Sequence, residues 1–444
     1  MDMSWREWLA EIGKTAPLDE KLAYLEAQSR TRPDDLDLAF EYGLACIAAK
    51  RFESAIGALI PVTRAQGHHL QYRGWLDLAE AFKGMGDFTG AELAYQKAYP
   101  IDPGSYWPVK GLADLVRQRN GTEAAAAFTC QLYEPLRPDG RASMVRYIAA
   151  IKAEETYNAQ RALPDWRIQP AREIPGLSDA VMMLMVKDED DIIGQNLRHH
   201  YAMGFRRFCI LDNGSTDETA GVIAAFRAAF PATIVVTIYD PVAGYYQADK
   251  MIAAERFCEV YMQLGGAAPG WLFFIDADEF VVFAGVKRQD EAFSEALAGA
   301  AHNLLVMHWI HCATPRLISA PLPEADPFGL FTRICTKLAP QVPKIAYRSG
   351  QGLRPAMGNH FVTEYPYATG QVINASDFGV YLAHFPMRSL AQLRKKVING
   401  GLAYKAAAGL EEHGGHWRER YALYEKHGDT VIAQMLANHM RETK

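Results

Sequence analysis

Asp276 and Asp278 stand one residue apart at the end of the apolar run Trp271-Leu272-Phe273-Phe274-Ile275, with Phe280 and more apolar sequence behind them. Charged groups leave water only against a large compensating attraction, and a divalent cation carrying a phosphorylated ligand supplies one. The pair therefore reads as a site for Mg²⁺ or Mn²⁺, hard ions suited to oxygen ligands. Open α/β sheets place ligands at the carboxyl ends of their parallel strands, where such a pair would sit.

Two more polar loops follow strand-like runs: Lys187-Asp188-Glu189-Asp190 after residues 181–186, and Asp212-Asn213-Gly214-Ser215-Thr216-Asp217-Glu218 after 207–211. Helical patterns at 190–203, 216–230 and 249–264 alternate with strand patterns at 181–186, 207–212, 233–239 and 271–276. That alternation predicts right-handed βαβ units and a parallel sheet, which gathers the three loops on one edge. Ser215 with Glu218 fits a capping box opening a helix whose free N–H groups face the ligand.

The stretch 181–280 resembles the nucleotide-binding half of a GT-A glycosyltransferase, close to family-2-like bacterial enzymes with a KNE-type loop, a strand ending in DNGSTD, and DxDEF. The resemblance implies a Rossmann-like, mostly parallel catalytic domain and a nucleotide-sugar donor, a UDP-sugar foremost. It implies that Lys187, Asp188, Glu189 and Asp212, with Asn213 in the same loop, contact the nucleotide alongside Asp276; Asp188 stands where the family usually has Asn. Tyr381-Leu382-Ala383-His384-Phe385 resembles the family segment whose histidine completes the metal shell, making His384 the third ligand with Asp276 and Asp278; His360 is the competitor.

Ser389 and Gln392 fit a capping box, and Arg394, Lys395 and Lys396 follow in the first turns, where basic residues oppose the helix dipole. A phosphate explains them as well as a solvated face does, so Arg388, Lys396 and, earlier, Lys250 are candidates to neutralise a diphosphate. An inverting transfer needs a base near the acceptor hydroxyl. Glu279 is the expected catalytic base, with His308, His311, Glu324, Asp326 and Glu364 as alternatives; a retaining path stays open. Trp309, Tyr347 and Tyr365 are candidates to stack on acceptor sugars.

The elements ahead of this region are helical and repeat. Trp75, Leu78, Ala79, Phe82, Ala91, Tyr95, Ala98 and Pro103 follow the order of a tetratricopeptide repeat turning near Gly86-Asp87, with an earlier copy through Gly43 and Ala55 and a degenerate one from Leu112 to Ala125. The expected domains are helical repeats at 1–150, a linker at 151–178, a GT-A domain at 179–400 and a helical segment at 401–444. Over 444 residues, the net charge of -6 disfavours bulk binding to nucleic acid.

Residues 1–8 carry charges where a signal peptide needs an apolar run, and no segment approaches the ~20 apolar residues of a membrane span. Six scattered cysteines read as buried thiols in a reducing compartment, so the expected location is the cytoplasm. The expected activity is metal-dependent sugar transfer to a glycan, lipid-linked or protein acceptor, with a protein partner on the repeats. The alternatives are a repeat adaptor carrying a degenerate transferase domain, or a nucleotidyltransferase.

Overall fold

The structure, a computed structural model, describes residues 4–13, 16–266, 268–323, 325–335, 338–366, 369–407 and 414–443. The chain divides into two compact units, Met1–Met144 and Val145–Lys444. Among the described residues, no helix is long and apolar enough to cross a membrane.

The first unit is all helix: α1 (Trp5–Glu11), α2 (Leu18–Thr31), α3 (Leu36–Ala48), α4 (Phe52–Arg64), α5 (Gln71–Gly84), α6 (Phe88–Ala98), α7 (Tyr106–Asn120), α8 (Thr122–Gln131) and the start of α9 (Pro138–Arg161). Asp35, Asp87 and Ser105 cap α3, α6 and α7 by accepting backbone N–H groups, which fixes where those helices begin. Short loops make successive helices neighbours, giving the pairs α3–α4, α5–α6 and α7–α8. Ala55, Ala79 and Ala91 are fully buried, as the repeat pattern requires. A Cβ on Gly43 would lie 2.8 Å from the Leu59 side chain, so α3 and α4 approach too closely there for anything larger.

The second unit is α/β. Its strands are β1 (Arg167–Ile168), β2 (Val181–Val186), β3 (Arg207–Asp212), β4 (Ile234–Tyr239), β5 (Trp271–Asp276), β6 (Glu279–Gly285), β7 (Leu304–Ala313), β8 (Arg333–Ile334), β9 (Ala339–Arg348), β10 (Val372–Asn374) and β11 (Val380–His384). Its helices are the remainder of α9, α10 (Ile193–Ala202), α11 (Thr219–Ala229), α12 (Gln247–Leu264), α13 (Asp290–Ala298), α14 (Pro327–Leu330), α15 (Leu390–Ala406), α16 (Gly415–His427) and α17 (Asp429–Glu442). One sheet runs in the order β1-β6-β11-β7-β9-β5-β2-β3-β4, with β10 and β8 also paired to β7.

Among the described residues β5-β2-β3-β4 is a run of four parallel strands and β7 is parallel to β10 and β11, whereas β9 is antiparallel to both β5 and β7, and β6 antiparallel to β11 and β1. The sheet is therefore mixed rather than mostly parallel. The difference comes from residues beyond 300, whose prolines hide their strand character. Pro340 and Pro343 lack N–H donors, and the β7–β9 ladder is shifted beside them, between Met307 and Trp309. This segment fills the middle of the sheet, with β11, β7 and β9 lying between β6 and β5.

β5 and β6 are separated only by Ala277 and Asp278, yet four strand-to-strand steps lie between them in the sheet. Four steps span roughly 19 Å in a flat sheet, whereas three Cα–Cα steps reach at most about 11 Å. The sheet must curl back on itself at this turn. The core beneath it includes Phe205, Phe273, Phe280, Tyr381 and, from α9, Tyr157, whose hydroxyl donates to the Cys335 carbonyl at 2.8 Å. Of the six cysteines, Cys130 alone is exposed.

The carboxyl-terminal helices pack closely. A Cβ on Gly401 of α15 would lie 2.3 Å from the Tyr421 ring of α16, and one on Gly400 would lie 2.9 Å from the Trp417 ring. The glycine pair lets both aromatic rings press against α15.

Candidate active site

The register places the expected residues at one edge. Met185 lies opposite Asp276 and Val186 opposite Asp212, so the loops after β2, β3 and β5 leave the sheet together. On the curled half, His384 ends β11 opposite Glu279 of β6 and His311 of β7. Distance in sequence is bridged by ladder pairing, and a cavity of about 610 Å³ opens where the halves meet.

Each aspartate holds a lysine. Lys344 of β9, fully buried, donates to Asp276 Oδ2 at 2.8 Å and to the Gly358 carbonyl at 2.7 Å. Lys396 of α15 donates to Asp278 Oδ2, with Arg388 Nη1 at 3.5 Å from the same oxygen and His384 Nε2 3.7 Å from Asp278 Oδ1. Burial pushes the Asp278 carboxyl up, but Lys396, His384 and Arg388 outweigh it and hold the group well below its ordinary range. Burial pushes the His384 imidazole down, partly opposed by Asp278. His384 Nδ1 lies 3.2 Å from His311 Nδ1, and its ring packs 4.5 Å from Trp309.

Lys187, Asp188, Glu189, Asn213, Asp276, Asp278, His384 and Lys396 all border the cavity. Glu279, Arg388, Lys250 and Asp212 are engaged within the protein. Glu279 is fully buried: Oε1 accepts Trp309 Nε1–H at 2.7 Å and Oε2 accepts the Asp276 N–H at 2.8 Å. Burial pushes its carboxyl to about 8 against the pull of Lys344. Both of its oxygens are thus held inside the protein, tying the turn at Ala277-Asp278 to Trp309 of β7.

Arg388 spends its donors on Asp191 (2.8 and 2.7 Å), Glu189 (2.6 Å) and the Phe385 carbonyl (3.1 Å), which leaves no fork for a diphosphate. Lys250 bonds Asn213 Oδ1 and the Val242 carbonyl, each at 2.6 Å, and pairs with Asp240. Asp212 accepts the Ser215 N–H at 2.8 Å and closes its own loop. The Ser215–Glu218 capping box does not form, because the helix begins at Thr219 and Ser215 Oγ instead accepts the Asp188 N–H. Ser389 does cap α15 through the Gln392 N–H, while Gln392 reaches the Arg388 N–H.

Asp188, at φ 55°, is held by the Thr216 N–H at 2.6 Å and by Asn399 Nδ2 at 2.8 Å, so it ties two loops to α15. Lys187 donates to the carbonyls of Asn213 and Gly214. Among the alternative bases, His308 is buried without a hydrogen-bond partner, Asp326 caps α14, Glu364 is exposed, and Glu324 lies outside the described residues. His311 borders the cavity. Tyr347 and Tyr365 are buried, and the Tyr347 hydroxyl donates to Glu255 at 2.7 Å; of the three aromatic candidates, Trp309 alone reaches the cavity.

Lys344, Asn399 and the aromatic wall of Tyr245, Tyr404 and Trp417, all bordering the cavity, were missed from sequence, as was Asp191, the partner of Arg388. Lys344 carried one readable signal: it is the charged residue inside the strand-like run Val342-Pro343-Lys344-Ile345-Ala346. Asp191 carried none beyond its place in an acidic loop.

Asp278, Glu279 and His384 bring one ligand atom each within 4.8 Å of one another, a mixed oxygen and imidazole set that fits Mn²⁺. Asp276, expected as a ligand, is outside this group, and its Oδ2 is paired with Lys344. His360 accompanies Trp309 on the cavity wall, with Nδ1 3.1 Å from the Pro343 carbonyl. His384, not His360, is the histidine beside Asp278. A larger cavity, about 800 Å³, lies elsewhere in the unit by Arg198, His199, Asp326 and Phe328, without Asp276 or Asp278.

No protein-family model matches the chain, and no curated protein matches it. Among solved structures it is similar to MamA MSR-1 C2, at 21% identity over 28% of this chain and 70% of that one, with a TM-score of 0.25. It is also similar to MamA 41-end from Desulfovibrio magneticus RS-1, at 20% identity over 29% and 69%, with a TM-score of 0.25. A mannosyltransferase from Pyrobaculum calidifontis in complex with GDP-Man and Mn²⁺ is 12% identical over 67% of this chain and 84% of that one, with a TM-score of 0.26. At these scores the likenesses bear on neither fold nor function.

Proposed function

We propose that this chain is a metal-dependent glycosyltransferase of the GT-A type, taking a nucleoside-diphosphate sugar, with a UDP-sugar as the first candidate. The observation that carries the reading is the approach of His384 to within 3.7 Å of Asp278 at a cavity bordered by three strand-end loops. Asp278 and His384 would hold the cation, with Glu279 behind them. A bound cation would neutralise charge accumulating on a diphosphate leaving group.

The residues around that point have separate tasks. Lys396 brings a second positive charge to the Asp278 side of the cavity. Lys344 fixes Asp276, which is 37% exposed at its side chain and borders the cavity. Trp309 and the Asp276 N–H hold Glu279, so the turn carrying both aspartates keeps its shape. Trp417, seated on Gly400, offers an aromatic face for a nucleobase. The helical repeats offer a surface for a protein acceptor or partner.

Screening UDP-, GDP- and CMP-sugars with Mn²⁺ tests this, reading donor hydrolysis and the rise in Tm that a folded-state ligand produces. We expect one base class to give both signals and EDTA to remove the hydrolysis. Silence across all donors with Mn²⁺ and Mg²⁺ would overturn the reading.

A further inference from the structure

A second group of metal-ligating side chains lies in the helical unit. Asp37 stands in the first turn of α3, and His68 and His69 lie in the loop between α4 and α5. Their ligand atoms lie within 4.8 Å of one another. His69 Nε2 is 3.4 Å and His68 Nε2 is 3.5 Å from the same oxygen, Asp37 Oδ1.

That oxygen is buried and accepts no hydrogen bond, although two imidazole nitrogens flank it. A buried carboxylate oxygen ordinarily finds a donor. Here two imidazole nitrogens stand at 3.4 and 3.5 Å, beyond ordinary hydrogen-bond length. Arg6 Nη2 donates to the other oxygen, Oδ2, at 2.7 Å, which orients the carboxylate and leaves Oδ1 turned to the two rings. Around a four-coordinate zinc ion, donors at bond lengths of 2.0–2.1 Å are separated by about 3.3 Å. The two distances to Oδ1 are close to that spacing.

We infer that Asp37, His68 and His69 form a binding site for a borderline divalent transition ion, Zn²⁺ above all, independent of the cavity in the other unit. Two imidazoles and a carboxylate suit Zn²⁺ better than Mg²⁺ or Ca²⁺. Three protein ligands leave a coordination position to water. His69 is 69% exposed at its side chain, so that position is reachable from solvent. His68 Nδ1 accepts the Leu70 N–H at 3.3 Å, which puts the ring proton on Nε2. Metal binding at Nε2 displaces that proton, moves the ring to its other tautomer and releases this long hydrogen bond. The ion would clip the start of α3 to the loop ahead of α5.

The test is equilibrium dialysis of full-length, chelator-stripped protein against Zn²⁺, in an Asp278→Asn background that disables the other candidate metal group. We expect one Zn²⁺ to remain bound in that background. His68→Gln with His69→Gln should weaken it by more than roughly 100-fold, the upper end of what loss of mere outer-shell partners costs. Asp37→Asn, which preserves shape, should weaken it as well, and Co²⁺ should give the visible absorption of a four-coordinate site. Equal Zn²⁺ affinity with and without the two histidines, or binding seen only at millimolar Zn²⁺, would overturn the site. Sugar-donor hydrolysis is a separate readout, so failure here and failure of the transferase reading are distinguishable.

Discussion

Lys344 Nζ lies 2.8 Å from Asp276 Oδ2 and 3.6 Å from Glu279 Oε1, a buried cation shared unequally between two carboxyl groups. Asp276 raises the Glu279 pKa and Lys344 lowers it. Asp276→Asn should therefore let Glu279 ionise at lower pH as the remaining partner of Lys344, while Lys344→Met should move it further up. Following Tm against pH in both variants checks this, and shifts in the same direction would count against the shared cation.

The wild-type pH profile follows from the same groups. Burial pushes Glu189 and Glu255 to about 7 and Glu279 to about 8, above their ordinary 4.5. The fold thus holds protons that the unfolded chain has lost, and stability from these groups falls as pH rises from about 4.5 to 8. Burial pushes His199 and His360 down to about 4 and His308 and His311 to about 3, from 6.5. Stability from these groups falls as pH drops below 6.5. The second unit should be most stable near pH 6.5, with Tm declining on both sides; a plateau from pH 5 to 8 would contradict the assignment.

At the metal group, Asp278→Ala would leave Lys396 and Arg388 without the carboxylate between them, so lost activity there would not separate chemistry from folding. Asp278→Asn and His384→Gln are the cleaner variants. Each should abolish or greatly reduce the Mn²⁺-dependent rise in Tm, and His384→Gln should regain part of its turnover at high Mn²⁺. An unchanged Mn²⁺ response in both would remove the cation from this position. His360→Ala should be milder.

Trp417→Ala should raise the donor KM by about 10-fold or more, since base stacking on an aromatic side chain contributes ~1–3 kcal/mol. Quenching of tryptophan fluorescence by the free nucleoside diphosphate gives an independent reading. A KM that does not move would place the base elsewhere on the wall.

Where the chain is cut decides whether the second unit survives alone. Ala153 and Tyr157 of α9 belong to its core, and Asn374 Nδ2 donates to the Ala149 carbonyl at 3.2 Å. A fragment beginning at Val145 should be soluble and cooperative, whereas one beginning at Ala171 should aggregate. Equal behaviour of the two in thermal melts would mean that α9 is dispensable.

The parallel half was legible because it obeys a local rhythm: residues 181–186, 207–212 and 271–276 match their strands, and the polar loops end them. The curled half was not, since Leu304–Ala313 and Ala339–Arg348 pair across a shifted ladder among prolines, where neither period nor turn residues announce a strand. Site residues divided along the same line. Asp278 and His384, singled out by type and motif, lie beside each other, whereas the pairing of Arg388 with Asp191, of Lys250 with Asp240 and of Asp212 with the Ser215 N–H depends on packing that one-dimensional spacing does not encode. The burial of Glu279 was not legible either, because adjacency to Asp278 says nothing about which face of the turn a side chain takes.

The curl at Ala277-Asp278 also orders assembly in time. A ribosome releases β2, β3, β4 and β5 before any of β7, β9 or β11, so Asp276 and Asp278 emerge ahead of Lys344, His384 and Lys396. Pairings so distant in sequence close slowly. Until they do, Asp276 and Asp278 stand without the lysines that neutralise them, and the crevice is complete only once the chain from Lys344 to Lys396 has joined the sheet.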